Sequence, residues 1–400
     1  MRTLRSLLRS LLCGAAVMAA LAMPAQAAET VKVGLILPYS GVFARLGETM
    51  DNAVKLWAAQ NGEMAGATKI EIIRRDETGP NPDTVKRVAQ ELIARDQVQM
   101  IAGLVFTPNA LAVAPLATEG KVPVVIMNAA TAVITTKSPY LTRTSLTLPQ
   151  TTEVFGRWAA TKGGMKTAYT AVSDYGPGHD AEDSFKRSFT EAGGTVVGSV
   201  QFPVMNPDFA PFLQRVLDQK PNALYAFIPG GSQPPAFVKA FHELGLDKAG
   251  IKLMPSAEAI DEADLQNLGD LAVGITSATN YTAAYPSPTN KAFVAAWKKA
   301  YGADKDPDLF AVGAYDGMAL IYDVAKKQTG KFDGDAAMGV IKGWTHESPR
   351  GPISIDPATR DIVQNVYICR VEKVDGRLAN VVTETYTAVK DPWKERNKSQ

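Results

Sequence analysis

Short apolar runs and helix-length amphipathic stretches alternate strictly along this chain, and near residue 150 the alternation stops and begins again. Residues 31–37 (VKVGLIL) read as a buried strand stopped by Pro38. Residues 47–61 read as a helix with Met50, Val54, Trp57 and Ala58 on one face. Residues 70–73 are the next strand. Asn81-Pro82 is a cap followed by a first-turn proline, and behind it Val85, Val88, Ala89 and Leu92 form one stripe. A strand at 99–102, a helix at 108–119 and a strand at 122–127 complete the first run. The second run sets helices at 151–161, 180–192, 209–219 and 235–244 among strands at 167–172, 195–202, 223–228 and 251–254. Such alternation buries its apolar faces as a parallel sheet covered by helices on both sides, so two runs predict two α/β lobes, each a doubly wound parallel sheet. A strand at 273–278 and helices at 289–301 and 308–328 follow. The tail, 352–389, alternates like antiparallel strands turned at Asp375-Gly376. The crossover near Leu148-Pro149-Gln150 is short and fits a hinge better than a flexible tether. The expected division is 28–148 with about 278–350 in lobe 1, and 149–277 with about 351–400 in lobe 2.

The first 27 residues read as an address. Arg2, Arg5 and Arg9 precede an apolar run at 11–21, and Ala25-Gln26-Ala27 is an A-x-A cleavage site, the pattern of a secretory signal peptide. The expected mature chain begins at Ala28. Its formal charge falls from +1 to −2 with the loss of three arginines. Near-neutral charge argues against nucleic-acid binding through a phosphate-contacting face. Cys369 would be the only cysteine left, so no intramolecular disulfide is expected. With three histidines in separate elements (His179, His242, His346), no metal site is expected either. No cofactor motif is present: the Gly-x-Gly-x-x-Gly of a dinucleotide fold is missing after the first strand, as are the serine-hydrolase elbow, the zinc-protease motif and the phosphate-binding loop.

Open parallel sheets bind ligands at the carboxyl ends of their strands. There the first lobe carries small and hydroxyl residues: Gly103-Leu-Val-Phe106-Thr107 after its third strand, and Asn128-Ala129-Ala130-Thr131 after its fourth. Small residues ahead of a helix leave N–H groups to hold an anion, and a threonine adds a hydroxyl; the same threonines also read as ordinary helix caps. The second lobe offers Tyr175 followed by Gly176-Pro177-Gly178, then Gly230-Gly231, then Glu258. Tyr175 could cover a ligand with its ring. Glu258 reads either as a partner for an ammonium or as a solvated loop carboxylate. Arg45 reads either as an acid-binding charge at the cleft mouth or as a solvated one.

These loops resemble those of periplasmic solute-binding proteins of the leucine/isoleucine/valine-binding kind, the receptors of ABC importers. The resemblance is carried by 31–41 (VKVGLILPYSG) with Leu46-Gly-Glu48, Arg75-Asp-Glu77, 85–92, 110–115, Ala129-Ala-Thr131, 140–144, Asp174-Tyr-Gly176 and Asp208-Phe-Ala210. It runs in order from about residue 30 to about 330. It implies the type I periplasmic binding protein fold, two lobes joined by three crossovers with the ligand in the cleft between them. It also implies a periplasmic location, a small carboxylate-bearing solute and a membrane permease as partner; a monomer without enzymatic activity is expected. Carried over by motif, Thr107 and the 129–131 loop would hold the solute's carboxylate, and Tyr175 would close over it. Glu258 lies near the ammonium partner of amino-acid binders. Its surroundings, Pro255-Ser-Ala-Glu-Ala-Ile-Asp261, depart from the glycine-rich pattern of those proteins. Phe106, Asn128 and Tyr281 look like the branch that takes aromatic or other organic acids. A sensory module feeding a signalling receptor would share the fold. An exported enzyme would need a base beside a pocket nucleophile, and the sequence shows no such set.

Overall fold

The computed structural model describes residues 29–328 and 330–397; the expected leader lies outside them. The first run of elements is β1 (Thr30–Leu37), α1 (Ala44–Asn61), β2 (Met64–Ala65), β3 (Thr68–Asp76), α2 (Pro82–Ala94), β4 (Met100–Gly103), α3 (Thr107–Gly120), β5 (Val124–Ile126) and β6 (Leu141–Arg143). Its sheet has the order β2-β3-β1-β4-β5-β6, parallel except for the short edge strand β2. The second run is α4 (Leu148–Ala160), β7 (Thr167–Ser173), α5 (Gly176–Glu191), β8 (Thr195–Phe202), α6 (Ala210–Gln219), β9 (Ala223–Phe227), α7 (Gln233–Glu243) and β10 (Lys252–Pro255). Its sheet is parallel, in the order β10-β9-β7-β8. The chain continues through α8 (Glu262–Leu268), β11 (Thr276–Thr279), α9 (Pro288–Tyr301), α10 (Leu309–Lys327) and α11 (Gly334–Ile341). It ends in β12 (Thr345–Ser348), β13 (Gly351–Ile355), β14 (Ile362–Val374), β15 (Arg377–Val389) and α12 (Pro392–Arg396).

The caps follow from the sequence. Asn81 accepts from the Thr84 N–H ahead of Pro82, and Asp308 accepts from Phe310 and Ala311 to open α10. The β14–β15 hairpin turns at Asp375 and Gly376, both with positive φ (49° and 79°), as a two-residue primed turn requires. In each lobe the helix after the first strand packs directly on the end of that strand through a glycine. A Cβ on Gly47 would lie 1.9 Å from the Pro38 carbonyl oxygen, and one on Gly178 would lie 1.9 Å from that of Ser173.

Several boundaries differ from expectation. The Tyr-Gly-Pro-Gly stretch is the first turn of α5 and not a turn before it: Pro177 fits the start of a helix, where its missing N–H is no loss. Leu148, Pro149 and Gln150 likewise form the buried first turn of α4 behind a Thr147–Gln150 capping box. His346 lies on strand β12, stacked 5.3 Å from the Trp344 ring.

Both parallel sheets reverse their winding beside their first strand. In the first sheet β1 stands between β3 and β4; in the second β7 stands between β9 and β8. The crevices at these switch points open onto the loops after β4 and β7, which is where a doubly wound sheet receives a ligand.

Candidate functional site

The loop after β4 makes a strained turn. Gly103 has φ 99° and Leu104 φ 61°, and a Cβ on Gly103 would strike the Ile36 carbonyl oxygen at 2.2 Å. The turn is anchored from below by Glu77, a fully buried carboxylate that accepts from the Val105 N–H (2.9 Å) and the Asn109 side chain (2.7 Å). Burial pushes the Glu77 carboxyl up to about 8, only partly opposed by its two neutral donors. Phe106 then caps α3, packed edge-on to Phe43 with ring centroids 4.7 Å apart. Thr107 opens the helix.

The loop after β5 is held alongside. The Asn128 side chain donates to the Val105 carbonyl (3.0 Å), and the Ala129 N–H goes to the Leu104 carbonyl (3.0 Å). Asn128 and Ala129 therefore tie the two loops together, and the Ala129 N–H is already committed to protein. The result is a pair of hydroxyls, Thr107 Oγ1 and Thr131 Oγ1, 2.7 Å apart and both buried. Neither caps its helix by a side-chain bond: the threonines hold each other instead. Behind them the fully buried Arg143 donates to the Thr131 carbonyl at 2.8 Å.

The second lobe meets this pair with the N-terminus of α5. A Cβ on Gly176 would lie 2.8 Å from Thr131 Oγ1 and 3.2 Å from Thr107 Cγ2, so only glycine allows this approach. Asp180, one turn on, accepts from the Ala132 N–H across the cleft at 2.7 Å. The starts of α3 and α5 thus converge on two hydroxyls, a concentration of donors and positive dipole ends suited to an anion.

The second lobe's neighbouring residues are aromatic and acidic. Tyr175 caps α5, its ring 6.1 Å from that of Phe227. Burial first, and then the charge of Glu258, pushes the Tyr175 phenol well above its ordinary range. Glu258 lies in the short turn after β10 and is 8% exposed; burial, and then the charge of Asp261, raises its carboxyl, and a backbone N–H and the Ser256 hydroxyl oppose this only in part. Ser173 Oγ, at the end of β7, is buried without a hydrogen-bond partner among the described residues. Buried polar atoms are seldom left so, and this one fits a cleft built for a polar solute.

Besides Asn128 and Ala129, three more expected site residues have other commitments. Gly230 packs against the first run of elements and α10: a Cβ there would lie 2.5 Å from the Phe310 ring and 3.1 Å from Leu46. The Tyr281 hydroxyl donates to Asn290 in the core beside α9. Arg45, expected as an acid-binding or solvated charge, is paired instead: it donates to Asp264 at 2.9 Å and to Asp261 at 3.3 Å. Reasoning from strand ends passed over Glu77, Arg143 and Asp180, because each acts through another residue's backbone. The acidic run at 261–264 was the one visible sign of a partner for Arg45.

A family model described as periplasmic binding protein matches residues 30–377. The chain belongs to this family of solute-binding receptors. Leu/Ile/Val-binding protein homolog 6 of Brucella melitensis is 42% identical over 373 residues, 93% of this chain and 95% of the relative. A solute-binding protein of an ABC transporter from Rhodopseudomonas palustris, solved with 3,4-dihydroxybenzoic acid, is 51% identical with a TM-score of 0.88 over 91% of this chain and 99% of that one. Another from that species, solved with p-hydroxybenzoic acid, is 44% identical with a TM-score of 0.88 over 91% and 98%. A leucine-binding protein from Thermotoga maritima, at 23% identity and a TM-score of 0.78 over 89% and 99%, shares the fold. The type I architecture expected from the sequence is therefore established.

Proposed function

We propose that this chain is the periplasmic receptor of an ABC importer and carries a hydroxylated aromatic monocarboxylate of the hydroxybenzoate class. The observation that carries this reading is that the two lobes bring different chemistry to the cleft. The first lobe brings Thr107 and Thr131, met by the start of α5, a place for a carboxylate. The second brings Tyr175, Phe227 and a buried Glu258 that burial drives toward its neutral form.

A neutral carboxyl can exchange hydrogen bonds with a phenol. An ammonium would need the ionised form, which this site disfavours. The relatives solved with hydroxybenzoates, at 44–51% identity, support the same class. In this reading residues 28–148 with about 278–350 form one lobe and the remainder the other. The solute binds to the first lobe and is covered by the second, and closure follows from the contacts it makes only when the lobes meet.

Thermal unfolding of the purified protein with 4-hydroxybenzoate, 3,4-dihydroxybenzoate, benzoate and leucine tests the proposal. A ligand of the folded state adds about 2.7 kcal/mol at a hundredfold excess over its Kd. Stabilisation by the hydroxybenzoates and none by leucine is the expected result. Stabilisation by leucine alone would overturn it.

A further inference from the structure

Arg45 stands at the start of α1 on the first lobe, and everything it pairs with lies on the second. Its Nη2 donates to Asp264 Oδ2 at 2.9 Å, to Asp261 Oδ2 at 3.3 Å and to the Gly231 carbonyl at 3.5 Å. The two carboxylates are 0% and 7% exposed at the side chain, while the arginine keeps about a third of its surface. Asp261 is also a helix cap, since its Oδ1 accepts from the Ala263 and Asp264 N–H groups at the start of α8. Asp264 Oδ2 has no partner but the arginine among the described hydrogen bonds and ion pairs. Asp308, whose carboxylate caps α10, also feels the arginine's charge.

We infer that Arg45 with Asp261 and Asp264 is an ion-pair latch between the lobes, which sets how long the closed cleft keeps its solute without touching the solute. The geometry gives three reasons. The arginine's hydrogen bonds all cross the cleft, and none goes to the Thr107–Thr131 loops. The carboxylates are fixed in place by a helix cap and by burial, so they wait in one geometry for the charge to arrive. Opening the cleft strips the arginine from carboxylates buried at its edge, and separating such a pair is slower than separating solvated charges. Beside the latch, Gly230 and Gly231 press on Phe310 and Phe43, so the latch closes over an apolar seam that limits water at one side.

The inference rests on the reading of this chain as a closing receptor. The test follows the release of 4-hydroxybenzoate by stopped flow in the wild type, Arg45→Met, Asp264→Asn and the double variant. Arg45→Met should raise the dissociation rate about tenfold, a value reduced for the exposed part of the arginine. The association rate should stay within about threefold, as is usual when a short-range pair is removed. The same factor should appear for 3,4-dihydroxybenzoate, and Asp264→Asn should add little to Arg45→Met because both remove one interaction. A loss that differs between ligands, or full additivity of the two variants, would overturn the latch, since Arg45 would then act on the solute or alone. Asp264→Asn leaves the α8 cap in place and keeps the test open if the arginine variant folds poorly. If no aromatic acid binds the wild type, the functional reading fails, and solution scattering decides the latch separately. A larger radius of gyration in both variants than in the wild type supports it, and an unchanged radius refutes it.

Discussion

Two buried glutamates carry the clearest consequences at the scale of single residues. Glu258 is expected to act through hydrogen bonding and not through charge. In Glu258→Gln the Kd for 4-hydroxybenzoate should therefore stay within about threefold of the wild type, whereas Glu258→Ala should weaken it about fivefold to tenfold, the value of one hydrogen bond. A hundredfold loss in Glu258→Gln, measured by titration calorimetry, would mean that the site uses an anion and would return an ammonium ligand to consideration. Glu77 tests the sign of a pH effect. Its folded carboxyl is raised to about 8 from an ordinary value near 4.5. The folded state therefore holds this proton more tightly than the unfolded chain. Its stabilising contribution is complete below about pH 4.5 and is lost as pH rises through about 8. Glutamine carries no such dependence. The melting temperature of Glu77→Gln relative to wild type should rise steadily between pH 5 and pH 8.5, and a flat difference would show that Glu77 is ionised throughout. Little of this is legible in the sequence. Glu77 stands there only as part of an Arg-Asp-Glu motif, because its importance comes from Val105 and Asn109, both about thirty positions away.

Secondary-structure elements put a geometric limit on closure. α5 delivers its first turn against Thr107 and Thr131, and Gly176 is the residue that makes the approach possible. Gly176 is the first residue of α5, where the roughly 1 kcal/mol preference for alanine over glycine in a helix interior is smaller, so Gly176→Ala should leave the ligand-free protein about as stable. Its methyl group would stand 2.8 Å from Thr131 Oγ1. Affinity should fall about tenfold or more through incomplete closure, as expected when an added methyl overpacks a tight contact by about 1–3 kcal/mol. Calorimetry alongside a melting curve separates the two effects; equal affinity would show that α5 yields. The same helix explains what the sequence could and could not reveal. β1 and β9 were legible because short, mostly apolar runs that a proline closes leave few alternatives, and the edge strand β8 because its side chains alternate between exposed and covered positions. The start of α5 was not, since Gly-Pro-Gly satisfies both a turn and a helix start, and only the packing of Gly178 on Ser173 distinguishes them. The Thr107 and Thr131 loops were legible because strand ends in a doubly wound sheet are the expected place for a ligand. The partners of Arg45 were not, because they lie more than two hundred residues on, beyond the reach of local pattern.

At the scale of the whole molecule, a buried polar knot ties together segments that are far apart in the chain. Gln364 on β14 accepts from Arg350 and Asn280 and donates to the Ser145 carbonyl and to Gln150, so one amide touches segments near 145–150, 280 and 350. Gln150 in turn donates to the carbonyls of Ile362 and Val389. Arg350, with no exposed side-chain surface, pairs with the equally buried Asp316 and donates to the carbonyls of Thr144 and Ser145. The segment expected to behave as a hinge is thus densely bonded. Burial pulls the Arg350 guanidinium below its ordinary range, opposed by Asp316. Removing one member of such a pair strands the other charge in the interior. Arg350→Met should therefore cost about 3–5 kcal/mol of stability. The double variant Arg350→Met/Asp316→Leu removes both charges and should recover a substantial part of that loss, because the stranded carboxylate is gone. Chemical denaturation of the three proteins measures both steps. If the double variant is no more stable than Arg350→Met, the cost lies in the carbonyls of Thr144 and Ser145 and the amide of Gln364, and the knot is held by its hydrogen bonds and not by its charge pair.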